Sequence, residues 1–340
     1  MKYRMLLLMV VCFAAMPSVA VADPILIRFS HVVAPDTPKG KAAEYFARRA
    51  EALTGGRVRV EVHPNSSLYK DREEMEALQL GAVQMLAPSL AKFSVLGVSE
   101  FEVFDLPFIF DDEDALAKVT NGPIGRRLLD SLESRGIKGL AYWDNGFKSF
   151  SANRPLRRPE DLRGLRMRIQ ASKVLEAQMQ ALGAIPLMMA FSDVHEALRI
   201  GVVDGTENPH SNLYTQRMHE AQSYLTVTDH GYLGYAVITS TRFWDGLPRA
   251  VRRQLTQAMR EASEYANRIA REENARAIEA VRAEGGTEII ELDEAERAAF
   301  KRALLPVHRE MAARIGPELI DAIYRETGFD PERFVAPAAR

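Results

Sequence analysis

The sequence predicts an α/β fold organised as two lobes. Short β-branched or apolar runs alternate with longer helical stretches, the cycle restarts near Trp143, and Pro248 to Glu284 holds neither glycine nor internal proline. No internal repeat or low-complexity segment interrupts the pattern.

Ile25 to Ser30 reads as the first strand. Lys39 to Thr54 follows as a helix, because Ala43, Phe46, Ala47, Ala50 and Leu53 share one face, and Gly55-Gly56 ends it with a left-handed cap. Val58 to Val62 is a second strand, Asp71 to Leu80 a helix with the acidic first turn that the helix dipole favours, and Val83 to Ala87 a buried strand. In the second cycle Lys148 to Ala152 and Leu165 to Ile169 read as strands and Lys173 to Leu182 as a helix. Ile185 to Met188 is a short strand, followed by a helix from an N-cap at Ser192 to Ile200. Along the last stretch apolar residues recur at Leu255, Ala258, Met259, Ala262, Ala266, Ile269, Ile278 and Val281. Such a helix runs about 50 Å, longer than one small lobe needs, and is expected to cross both. A coiled-coil dimer is the rival reading, although the seam is rich in alanine and drifts off a strict heptad.

Met1 to Ala22 has a basic start at Lys2 and Arg4, an apolar run from Met5 to Ala15 and the small-residue site Ala20-Val21-Ala22. This is the pattern of a secretory signal peptide, and no later segment has the apolar length of a membrane helix. The only cysteine, Cys12, lies in the apolar run, so the expected mature chain has no disulfide, thiol nucleophile or Cys metal site. Val10 and Val11 stand where a lipid-attachment motif wants a small residue, which disfavours Cys12 as a lipid anchor. The formal charge of −2 becomes −4 once Lys2 and Arg4 are removed, which suggests neither nucleic acid nor an anionic membrane as partner.

The sequence shows no phosphate-binding loop, no GxGxxG after a strand and no GxSxG elbow. His195-Glu196 begins like a zinc-protease motif, but Arg199 stands where the second histidine is needed. His195 is read as a helix-surface or interface residue.

Four central segments, Lys148–Arg154 (KSFSANR), Asp161–Gln170 (DLRGLRMRIQ), Pro186–Ala197 (PLMMAFSDVHEA) and Val203–Pro209 (VDGTENP), resemble the solute-binding proteins of tripartite ATP-independent periplasmic (TRAP) transporters. Phe29–Gly40 (FSHVVAPDTPKG) and Tyr69–Met85 (YKDREEMEALQLGAVQM) are similar to its C4-dicarboxylate-binding branch. The resemblance implies a two-lobed periplasmic binding protein fold with a hinge, a ligand cleft between the lobes and a long helix spanning both. On that pattern residues 1–22 are the signal peptide, 23–146 plus 234–273 form lobe I, 147–233 plus 274–330 form lobe II, and 331–340 are a tail.

The resemblance also implies an arginine on a second-lobe strand that grips the ligand carboxylate, here Arg168. A guanidinium offers parallel N–H donors that match a carboxylate, and its charge survives burial. Strand alternation alone puts Arg166 and Arg168 on one face and leaves them undecided. Phe191 matches an aromatic that packs on the ligand, and Asn208 an asparagine that binds its carboxylate. Lys148 stands where sialic-acid-binding members carry a second arginine and Pro88 where they carry a glutamate, both departures from a sialic-acid site; Lys148, with His31 or Lys39, is read as a cation available to a second ligand carboxylate. From the first lobe His31 at a strand end, Lys39 at the start of the next helix and Ser89 after a strand are positioned to face the cleft, since ligands of open α/β sheets bind beyond the carboxyl ends of the strands. Lys70 and Lys92 are weaker candidates.

These expectations describe a periplasmic protein without catalytic activity, cofactor or metal. It would bind a small organic acid, such as succinate, malate or fumarate, and deliver it to TRAP membrane subunits. The rival readings are a periplasmic organic-acid enzyme, with His31 the only histidine to nominate as base, and a sensor subunit that presents the ligand to a receptor.

Overall fold

The computed structural model describes residues 23–334. The expected signal peptide and residues 335–340 of the expected tail lie outside them. Among the described residues nine strands are formed: β1 Ile25–Ser30, β2 Val58–His63, β3 Met85–Leu86, β4 Ile137–Ala152, β5 Arg166–Ile169, β6 Ile185–Met188, β7 Gly205–Asn208, β8 Tyr224–Ser240 and β9 Glu288–Glu291. They follow one path, β2-β1-β3-β8-β4-β7-β5-β6, with β9 also on β8.

The long strands β4 and β8 connect two half-sheets. The Ile238–Thr239 end of β8 carries β3 and, through it, β1 and β2. The Ser149–Ala152 end of β4 carries β7, and beyond it β5 and β6, while β9 joins the Tyr224–Val227 end of β8. Between these ends the β4–β8 register shifts at Gly139/Ala141, Asp144/Gly146 and Lys148/Phe150. Each shift bends the ribbon and raises its local twist.

Local signals set most helix ends. Thr37 accepts from the Gly40 amide at 3.1 Å and Pro38 opens helix Pro38–Thr54, which stops at Gly55 with φ 59°. Three readings change. The strand expected over Val83–Ala87 pairs only at Met85–Leu86, because the chain then turns into the cavity wall. The strand expected from Lys148 begins at Ile137, its alternation hidden by the bulges. Ser192 does not cap a helix: a 3-10 turn over Phe191–Asp193 precedes helix Val194–Arg199, and the Ser192 hydroxyl lies 3.1 Å from its neighbour Asp193.

Helix Arg249–Glu284 is one unbroken element of 36 residues. Its Val251–Ala266 face packs with Phe29, Phe46 and Trp143 beside the first half-sheet, while Val281 packs with Phe191, Leu213 and Leu225 beside the second. The apolar stripe is therefore buried within its own chain, which removes the coiled-coil seam. Full burial of an aromatic such as Phe29 or Trp143 stabilises by about 1.5–3 kcal/mol. The lobe division expected for 274–330 mixes two environments. Phe300 and Leu304 pack with Phe150 and Met167. Helices Pro306–Ile315 and Pro317–Thr327 instead share a core with Phe101, Phe104 and Leu116, which also takes in Val174 and Tyr232. Among the described residues no helix is long and apolar enough to cross a membrane.

Candidate functional site

A cavity with an empty volume of about 280 Å³ opens where both half-sheets present the carboxyl ends of their strands. Val32, Val33 and Ser89 follow β1 and β3 in its wall, and Gln170, Phe191 and Asn208 come from the ends of β5, β6 and β7. Lys39, Asp71 and Lys92 complete one side, Asn212, Leu233 and Tyr235 the other. Lys39, Ser89, Phe191 and Asn208 are thus brought together as the sequence reading expected, whereas His31, Lys148 and Arg168 do not line this space.

Arg168 sits in mid-β5, paired with Thr206 of β7 and Leu187 of β6, and is 2% exposed. Its Nε and one terminal nitrogen both donate to the Met189 carbonyl, at 3.1 and 2.9 Å. The guanidinium lies 5.6 Å from the centroid of the Phe191 ring, which lines the cavity. Burial lowers its pKa, opposed by Asp71 and Glu207 at longer range. Arg166 is different: Asp204 takes its Nε at 3.0 Å and a terminal nitrogen at 2.7 Å, so its charge is already matched at the surface.

Lys39 is 1% exposed, donates to the Ala87 carbonyl at 3.0 Å and stands 3.8 Å over the Tyr235 ring. Burial, then the neighbouring Lys92, lower its pKa to about 7 against the pull of Glu74 and Asp71. Lys92 by contrast is held by Asp71 and by Glu74 at 2.8 Å. Burial opposes the charge of Asp71, yet Lys92 and the Phe191 amide hold its pKa at about 2. That amide donates to Asp71 at 2.6 Å, so Asp71 joins the two sides of the cavity. Gln170 donates to Ser89 at 2.8 Å as a further bond across it, while the half-exposed Lys70 and Asp193, neither of them in its wall, pair at 2.8 Å. Asn208 donates to the Thr206 hydroxyl at 3.2 Å, which orients its amide.

Lys148 is taken by Glu207 at 2.6 Å, both side chains being 2% exposed. The other Glu207 oxygen meets His230 and Gln178, each at 2.8 Å, and the His230 ring stacks on Phe150. The Lys148 charge is thus matched by Glu207 outside the cavity wall, whereas Lys39, in that wall, has no carboxylate within ion-pair distance among the described residues. His31 is buried with neither ring nitrogen hydrogen-bonded, and burial followed by Lys39 lowers its pKa to about 3, so it is neutral.

Sequence reasoning missed Asp71, Gln170, Asn212 and Tyr235. Asp71 reads in the sequence as a first-turn acid on a helix, and no element is read over the segment that bears Tyr235. Their partners lie far along the chain: Phe191 is 120 residues from Asp71, Ser89 81 residues from Gln170, and Asn145 67 residues from Asn212.

A model of the bacterial extracellular solute-binding proteins, family 7, matches residues 29–315. The chain is 63% identical over 308 residues to the C4-dicarboxylate-binding periplasmic protein DctP of Rhodobacter capsulatus, covering 91% of this chain and 92% of that protein. It is 44% identical over 299 residues to the C4-dicarboxylate-binding protein DctB of Bacillus subtilis (strain 168), covering 88% and 85%. Among solved structures it is similar to a TRAP periplasmic solute-binding protein of Shewanella oneidensis with bound succinate. There the TM-score is 0.88 at 40% identity, over 90% of this chain and 100% of that one. A counterpart from Pseudomonas aeruginosa PAO1 with bound L-malate gives a TM-score of 0.83 at 44% identity, over 84% and 100%.

Proposed function

The chain belongs to the bacterial extracellular solute-binding proteins of family 7, and on that premise we propose that it is the periplasmic receptor of a TRAP transporter. It captures a C4-dicarboxylate such as succinate, malate or fumarate between its lobes, carries out no chemistry on it, and delivers it to the membrane subunits.

One observation carries this reading: Lys39 in the cavity wall and Arg168 behind the Phe191 ring that lines it are both buried cations, and neither has a carboxylate within ion-pair distance among the described residues. A buried charge is costly until it is paired, so a cavity with two such cations favours a ligand with two carboxylates. In this reading one carboxylate takes Arg168, with Asn208 as a further donor and Phe191 against the carbon skeleton. The second takes Lys39, with Ser89 and neutral His31 on the same side. Lys148 acts behind Arg168 through Glu207. The polar contacts across the cavity are what a closed form would recognise as complete.

Calorimetry of the mature protein against succinate, L-malate, fumarate and a neutral sugar tests it. Binding of the dicarboxylates alone is the expected result; a sugar bound as tightly as succinate would reject it. Incubation with the same acids should leave them unchanged.

A further inference from the structure

We propose that Asn145 and Asn274 are positioning residues that tie the bend between the half-sheets to the ligand cavity through Asn212, making cavity filling and lobe closure one event. The proposal rests on the reading of the cavity as the ligand site.

β4 and β8 carry the connection between the half-sheets, and one of their register shifts falls at Asp144/Gly146, with Gly146 opposite Leu233 of the cavity wall. Gly146 has φ 111°, and a Cβ there would lie 2.6 Å from the Asn274 amide nitrogen. A glycine is thus needed for the long helix to reach the bent backbone. Asn274 uses that access fully: its nitrogen donates to the Asn145 carbonyl at 2.7 Å and to Ala270 at 2.8 Å, and its oxygen accepts the Ser211 amide at 2.9 Å. Two turns earlier, Asn267 accepts the Asp144 amide at 2.9 Å. One helix therefore holds the bend at consecutive residues and also holds the start of the segment that bears Asn212.

The Asn145 side chain completes the line. It is fully buried, and its nitrogen donates to Asn212 at 3.1 Å, while its oxygen has no partner. Asn212 lines the cavity. The bonds of the bend are directional, so a change of hinge angle must break or lengthen them together. The unpartnered Asn145 oxygen makes the arrangement sensitive to such changes, since another angle can supply a donor that this one lacks. Neither Asn145 nor Asn274 lines the cavity, so an effect on binding must pass through position.

The test uses the mature chain with one spin label on each lobe surface, and stopped-flow release of succinate. Asn145→Ala and Asn274→Ala should each raise the succinate off-rate about tenfold, the loss expected for one buried hydrogen bond. The double variant should be little worse than either single one, because both act on one line. Without ligand, both should broaden the interlobe distance distribution relative to wild type. Asn274→Asp, which keeps the acceptor for Ser211 but loses the donor to Asn145, should resemble Asn274→Ala in off-rate and retain more thermal stability. Unchanged off-rates and distributions would overturn the proposal. So would penalties that multiply, or a fall in thermal stability alone. Failure of wild type to bind succinate would instead reject the ligand reading, while the ligand-free distributions still decide the present one.

Discussion

The Lys39 ammonium stands 3.8 Å over the face of Tyr235, bonded to the Ala87 carbonyl, with Lys92 rather than a carboxylate as its strongest charged influence. The ring face stabilises a cation, but less than a desolvated ion pair does. In the proposed reading a ligand carboxylate supplies the missing charge.

Binding should therefore take up a proton. The free-state pKa of Lys39 is lowered to about 7, by burial and then Lys92, and a bound carboxylate raises it. The facing groups Asp71 and Glu74 stay paired with Lys92, and His31 stays neutral. Because the bound state holds the proton more tightly, affinity is greatest below about pH 7 and falls as pH rises above it. Succinate should bind more weakly at pH 8 than at pH 6, by up to roughly tenfold, with an uptake that approaches one proton at pH 8. Calorimetry in buffers of different ionisation enthalpy measures the uptake. Lys39→Met should abolish both the uptake and the preference for dicarboxylates over monocarboxylates.

Arg168→Ala should weaken succinate binding by roughly a hundredfold or more, since removing one partner of a buried pair costs about 3–5 kcal/mol and 1.4 kcal/mol is tenfold. Arg168→Lys should also weaken it, because charge remains but the forked geometry does not. Arg166→Ala is the control: its charge is matched by Asp204, so affinity should change little. Titrations of the three folded variants check this.

Lys148→Ala leaves Glu207 with only His230 and Gln178 in a fully buried site. The fold should lose about 3–5 kcal/mol in urea unfolding. Affinity for mono- and dicarboxylates should fall by the same factor, since Lys148 holds Glu207 on β7, the strand paired with the Arg168 strand β5. A loss confined to dicarboxylates would place its ammonium on the ligand.

Asp71→Ala removes the acceptor that joins the Phe191 amide across the cavity and one of the two partners of Lys92. Succinate release should accelerate by about tenfold while association changes less, as for one lost charge-assisted hydrogen bond. Stopped-flow kinetics separate the two rates.

The sequence by itself determined the α/β order, the helices Pro38–Thr54 and Asp71–Leu80, and the long helix, because caps and periods of 2 and 3.6 residues are local properties. The resemblance carried by LRMRIQ and TENP pointed to Arg168 and Asn208. Alternation could not separate Arg166 from Arg168, and it lost the first half of β4 where bulges break the period. Which charges are matched was decided by the tertiary structure alone. Asp204 lies 38 residues from Arg166, Glu207 59 residues from Lys148, and Asp71 120 residues from Phe191. A cation's availability to a ligand depends on whether another chain segment has already supplied its counter-charge, and no local pattern encodes that.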